Sequence, residues 1–243
     1  MIRTCAAEWS RLWTVRATWL LLGVAAALMV AVGFITGSEA ADRPPTGASA
    51  WTAASFAAMP AQFALLTLAL LAVTSDYATG GIVPSLQWTP RRGVLFLART
   101  TTAVVTAAVL GVLAATASTL TAHLVAGPVL PLDGVGEALP KVAVVFAAGA
   151  ALAVGLGFLA RGTAGALVVV FLAMLVLPLI LRNFGYEWST AVADVLPGSG
   201  VVSLLLQEIP GMTTTRSVVT LLCWAVGALA LGWVRFAKDD ANR

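Results

Sequence analysis

Charge is scarce in this chain: only 10% of its 243 residues are Asp, Glu, Lys or Arg, lysine occurs only at Lys141 and Lys238, and His123 is the single histidine. The two cysteines, Cys5 and Cys223, fall before the first long apolar run and inside the last, so they supply neither a disulfide framework nor a metal-ligand pair. Neither lysine follows a glycine, which excludes a phosphate-binding loop of the G-x4-G-K-[ST] type, and HExxH, GxSxG and CxxC are also missing. Whatever the chain does, it carries no recognisable catalytic motif of its own.

In place of charge there is hydrocarbon. The composition is 60% hydrophobic with a mean hydropathy of +0.95, against about 45–50% apolar and about 25% charged in a soluble domain. A water-soluble fold of this composition would expose large apolar patches, so lipid is the expected solvent. Uncharged runs long enough to cross a core of roughly 30 Å lie near 17–36, 56–75, 101–123, 142–160, 163–181 and 217–234. The first resembles a secretory signal, with Arg3, Arg11 and Arg16 leading and Ser38-Glu39-Ala40 after it. Its full spanning length favours a retained helix. The expected fold is an all-α integral membrane protein, one transmembrane domain over residues 1–243 with six membrane helices.

An even number of spans puts both termini on one side. Arg3, Arg11, Arg16, Arg91, Arg92, Arg99, Arg161, Arg235, Lys238 and Arg243 then share a face, against Arg43, Lys141, Arg182 and Arg216 on the other. The basic bias marks the first face as cytosolic. Glu39, Asp42, Asp133, Glu137, Glu187, Asp194 and Glu208 lean outward. Positive charge spread over short membrane-facing loops argues against nucleic-acid binding. As drawn, no span carries an ionisable residue in its interior, which disfavours a proton- or ion-coupled carrier. His123, at the outer end of the third span, reads as an interfacial residue rather than a proton relay, because no carboxylate is close in sequence.

Three segments outside the spans stand out. Within residues 1–16, Trp9, Leu12, Trp13 and Arg16 share a helical face, with Ser10, Arg11 and Thr14 toward water, which predicts an interfacial helix. Residues 76–99 form a long cytosolic loop, in which Gly80-Gly81 marks a turn, Pro84 suits the first turn of a short helix and Pro90 ends it. That helix would present exposed Ile82, Leu86 and Trp88 for docking. Residues 182–216 contain apolar stretches too short to span, bounded by Pro197-Gly198 and Pro210-Gly211. They are expected to form an external cap that lies in the interface or re-enters the bundle. Within the spans, Pro60, Thr67 and Thr74 recur every seven residues with Phe63 and Leu70 beside them; threonines so placed bond back to their own helix or face a path, and packing is the favoured reading. Gly149, Ala153 and Gly157 favour close helix packing.

The acidic-Tyr-x-x-Gly start Asp76-Tyr77-x-x-Gly80, the apolar stretch after it, Pro90-Arg91-Arg92, the lead helix with Glu8, Arg11 and Arg16, and Leu196-Pro197-Gly198-Ser199-Gly200 together resemble the membrane subunits of ABC-2 type ATP-binding-cassette exporters. The resemblance covers the whole chain in layout. Gly81 stands where that family is expected to have Thr, and Pro84 interrupts the usual helical stretch. The resemblance implies a multi-pass permease of the bacterial inner membrane, with both termini cytosolic. Two copies, or this chain and a sister permease, would work with separate ATPase subunits that bind ATP and Mg. It implies a coupling helix that docks on the ATPase through Tyr77, Gly80, Ile82, Leu86, Trp88, Arg91 and Arg92, flanked by Glu8 and Arg11. It also implies a path faced by the second and fifth spans, with Phe63, Thr67, Leu70 and Thr74 along it. The cargo would be an apolar or amphipathic compound such as a drug, an antibiotic peptide or a lipid-linked molecule. The alternatives are an ATP-independent carrier or channel, or a non-transporting immunity or sensor subunit.

Overall fold

The computed structural model describes residues 2–45, 47–89, 91–206 and 209–238. The readings made above for Pro90, Glu208 and Arg243 lie outside the described residues. Among those described there is no strand. A lead helix α1 (Ile2–Thr14) precedes α2 (Arg16–Asp42), α3 (Trp51–Thr79), the short α4 (Ile82–Trp88), α5 (Arg92–Ala126) and α6 (Val135–Ala160). Then come α7 (Thr163–Phe171), a π turn over Leu172–Val176, α8 (Leu177–Asn183), α9 (Glu187–Val195), α10 (Pro197–Leu205) and α11 (Thr214–Lys238). Taking α7 to α8 as one span, six helices among the described residues are long and apolar enough to cross a membrane, and the chain is a multi-pass membrane protein.

The helices run past the apolar runs that announce them. The second span was expected over 56–75 and the third over 101–123, whereas α3 begins at Trp51 and ends at Thr79, and α5 begins at Arg92. The expected long loop over 76–99 therefore shrinks to Gly80-Gly81, α4 and a short link. Gly80 closes α3 in the left-handed conformation at φ 71°, a geometry that glycine adopts without steric cost. Asp76 and Arg99, read as loop charges, are helical and buried. The helices therefore continue through charges at the end of the bundle, while the apolar runs themselves carry no Asp, Glu, Lys or Arg.

Small residues set the distances between helices, as expected where lipid removes the hydrophobic drive for one helix to leave solvent for another. A side chain at Gly33 or Gly37 of α2 would collide with the α5 backbone at Ser118 and Ala122. One at Gly155 would strike the α11 backbone at Ala228, and Gly232 of α11 is pressed on Gly155 in return. The opposite face of α6 packs on α3, with Gly149 against Leu66 and Gly157 against Leu70 and Thr74. At the end of the bundle shared by α1 and the C-terminus of α11, Phe96, Phe158, Trp233 and Phe236 form one aromatic cluster, its closest rings 4.7 Å apart between Phe96 and Phe158.

The fifth span is broken for a local reason. Pro178 has no N–H to offer the carbonyl of Met174 four residues earlier, and the π turn sits where that ladder fails. Gly198, near the start of α10, lies directly on the Met174 carbonyl, where any side chain would clash. α9 and α10 meet at 82°, and α10 is buried along most of its length.

Replacing Gly33 by Leu is expected to lower stability by about 1–3 kcal/mol, the usual range for forcing atoms into a packed contact. Gly23→Leu on the same helix, where a side chain would meet open space, is expected to leave the unfolding temperature in detergent unchanged. A thermal-shift comparison of the two checks it.

Candidate functional site: a buried charge cluster at the end of the bundle

Four charged side chains from three helices converge where α1, α3 and α5 meet. Asp76, in the last turn of α3, sits at the centre. Arg11 of α1 grips its carboxylate with both terminal nitrogens, at 2.6 Å to Oδ1 and 3.1 Å to Oδ2, the fork geometry that suits guanidinium to carboxylate. Arg99 of α5 donates through Nη2 to Oδ2 of the same carboxylate. Glu8, one turn before Arg11 on α1, accepts from Arg11 Nη1 at 3.2 Å and from Arg99 Nε at 3.2 Å. Ser75 Oγ takes a further bond from Arg11 at 3.1 Å.

The short helix α4 is tied to this cluster by one hydroxyl. Ser85 Oγ lies 3.3 Å from Asp76 Oδ2 and 2.8 Å from the Gly81 carbonyl, and Arg99 Nη2 is 3.4 Å away. The Arg99 side chain is only 1% exposed, while Glu8 and Asp76 keep 14% and 13%. Two guanidiniums and two carboxylates sum to zero charge, which is the condition under which such groups are buried at tolerable cost.

This geometry corrects several sequence-based expectations. Arg11 does not face water: it turns into the bundle. Leu12 is buried beside it, and Arg16 belongs to α2 rather than to the lead helix, because Val15 takes an extended conformation between them. Ile82 is buried and Leu86 half-buried against the core, so of the three α4 residues expected to be exposed only Trp88 is, at 88%. A helix of seven residues has an inner face as well as an outer one, and Ile82 and Leu86, four apart, share the inner one.

The remaining candidate residues are placed as follows. Tyr77 is half-buried with the Arg161 guanidinium 5.5 Å above its ring, a cation–π arrangement. Gly80 forms the turn. Arg91 is exposed, whereas Arg92 donates from Nη1 to the Phe236 and Ala237 carbonyls at 3.1 Å each, capping the C-terminus of α11. On α3, Thr67 and Thr74 both bond back to their own helix, to Phe63 O at 2.6 Å and Leu70 O at 3.0 Å. Thr74 also meets Thr163 Oγ1 of α7 at 2.7 Å, and Phe63 packs edge-on against Phe171 of α7 at 5.2 Å. Leu70 and Thr74 are fully enclosed rather than lining an open path; Phe63 and Thr67 are half-open.

A second ion pair went unread in the sequence. Arg182 of α8 reaches Asp194 of α9 at 2.6 Å and Ser199 of α10 at 3.2 Å, and Ser199 Oγ donates to the Ala193 carbonyl at 2.6 Å. These bonds hold the α9–α10 bend against the fifth span. His123 Nδ1 lies 2.7 Å from the Leu130 carbonyl; a carbonyl only accepts, so that nitrogen carries the proton and the ring ties the end of α5 to the following turn.

Asp76→Asn leaves two guanidiniums around one carboxylate and is expected to cost about 3–5 kcal/mol, the usual penalty for breaking a buried pair from one side. Combining it with Arg99→Gln is expected to cost at least about 1 kcal/mol less than the sum of the single changes. Unfolding titrations of the three variants against the parent measure the difference.

No protein-family model and no curated protein sequence matches this chain.

Proposed function

We propose that the chain is the membrane-spanning subunit of an ABC-2 type ATP-driven exporter, moving an apolar or amphipathic compound outward. The basic end of the bundle, with α1, α4 and the C-terminus of α11, is then cytosolic, and the bent α9–α10 pair is the external cap. ATP and Mg are handled by separate ATPase subunits. The path lies between two copies of the bundle or between this chain and a sister permease.

The observation that supports this reading best is the attachment of α4. Its inner face is fixed by Ile82 and Leu86 and by the Ser85–Asp76 bond, while Pro84, Gln87 and Trp88 are left exposed. An indole that is 88% exposed on a helix tied through one carboxylate to α1, α3 and α5 is a suitable handle for a soluble partner. Force applied to it would reach three helices at once. Arg91, exposed just after α4, would add charge to the same surface. The open stripe of α3, with Phe56, Pro60, Phe63 and Thr67, is the part of the second span best placed to face cargo.

In co-purification with an ATPase encoded beside this chain, Trp88→Asp is expected to abolish retention. Its unfolding free energy should stay within about 0.5 kcal/mol of the parent, as for an exposed substitution. Retention of the ATPase by Trp88→Asp would remove α4 as the docking element. Failure of the parent chain to hold any such ATPase would remove the exporter reading.

A further inference from the structure

A cleft of about 80 Å³ opens between α1, α2 and α3, walled by Leu12, Val15, Thr18, Leu21, Leu68 and Ala72. One water needs about 10–15 Å³ of such space, so the cleft has room for a short length of alkyl chain. The polar groups at its edge are already engaged: Thr18 Oγ1 donates to the Leu12 carbonyl at 2.6 Å, and Arg11, at its floor, is held by Asp76, Glu8 and Ser75. A polar ligand would find little besides the Ser75 hydroxyl, whereas a hydrocarbon chain would find a wall of methyl groups.

The rim is different in character. Arg16, which directly follows the lining residue Val15 and precedes Ala17, is exposed and makes no hydrogen bond or ion pair among the described residues. Trp9, Trp13 and Trp19 meet in edge-on and tilted contacts, with centroids 5.6 and 5.2 Å apart, and Trp19 Nε1 donates to the Trp13 carbonyl at 3.0 Å. Tryptophans and an unpaired arginine at the start of a span mark the depth where head groups meet hydrocarbon. We infer that the cleft holds a short segment of one acyl chain of an anionic phospholipid from the leaflet in which α1 lies, with the lipid phosphate beside Arg16. Such a lipid would wedge α1 against α2 and α3 directly above the charge cluster. The inference does not depend on the exporter reading.

The test uses the intact chain in phosphatidylcholine nanodiscs doped with phosphatidylglycerol or phosphatidylcholine bearing a diazirine on the acyl chain, with photo-adducts mapped by proteolysis. Leu12 and Leu68, both buried in the protein, are expected to be labelled above the lipid-facing Val24 and Val30. The anionic lipid should label them about fivefold more than the neutral one, the preference one arginine confers at a membrane surface. Arg16→Gln is expected to erase that preference while leaving chain labelling in place. Ala72→Phe should abolish labelling of Leu12 and Leu68; should it not fold, Ala17→Leu closes the cleft from the other wall. Labelling of Leu12 and Leu68 no stronger than of Val24 and Val30, labelling that persists in a folded, filled variant, or an anionic preference that survives Arg16→Gln would each overturn the inference.

Discussion

A single carboxylate between two guanidinium groups determines how one end of this bundle is built. Asp76 could not sit buried at the end of α3 alone, nor Arg99 on α5, because an isolated charge in such a place costs several kcal/mol. Their pairing still leaves Arg11 to be balanced, and Glu8 supplies the second negative charge from the same helix that brings Arg11. The position of α1 is therefore a consequence of neutrality as much as of packing: withdrawn, it would take both Arg11 and Glu8 and leave Asp76 and Arg99 with half their ion pairs. α4 follows through Ser85.

Away from this end, shape does the work that charge does here. The close approaches of α2 to α5 and of α6 to α11 run through glycines whose replacement would strike backbone, which no rotamer change relieves. Pro178 opens a gap in the hydrogen-bond ladder of the fifth span, and Gly198 of α10 fills the space against the exposed Met174 carbonyl. The break and the short helix that packs on it belong together. Arg182, Asp194 and Ser199 then hold the bend from the other side.

The sequence made the number and rough place of the membrane helices legible, because length and hydropathy are enough to find a spanning run. It hid their ends. A run judged by its apolar residues stops at the first charge, whereas a helix continues through a charge whose partner arrives from elsewhere, and Asp76 and Arg99 are partners 23 residues apart. The same long-range pairing reversed the expected direction of Arg11, since helical periodicity reports which residues share a face and not what that face meets. The turn at Gly80 was readable from the residue itself, as was the prospect of a short helix after it. Which side of α4 would be buried was not, because apolar residues lie on both of its faces and only the position of α3 and α5 decides between Ile82 and Trp88.

Bidentate ion pairs resist sliding in a way that aliphatic contacts do not. The ends of α1, α3, α4 and α5 therefore move together or must first break bonds to a buried carboxylate, at about 3–5 kcal/mol for losing one partner. If a partner pulls on α4, the displacement cannot be absorbed at the cluster and must be taken up where helical hydrogen bonding is already interrupted. Besides Pro140 near the start of α6, such places lie at Pro60 inside α3 and at the π turn of the fifth span, Leu172–Val176. Phe63 and Phe171, in contact across α3 and α7, lie within a turn of Pro60 and of the π turn respectively. The rigid end and the compliant middle thus meet along the helix pair that the transport reading places beside the path, which is the arrangement a coupled opening would require.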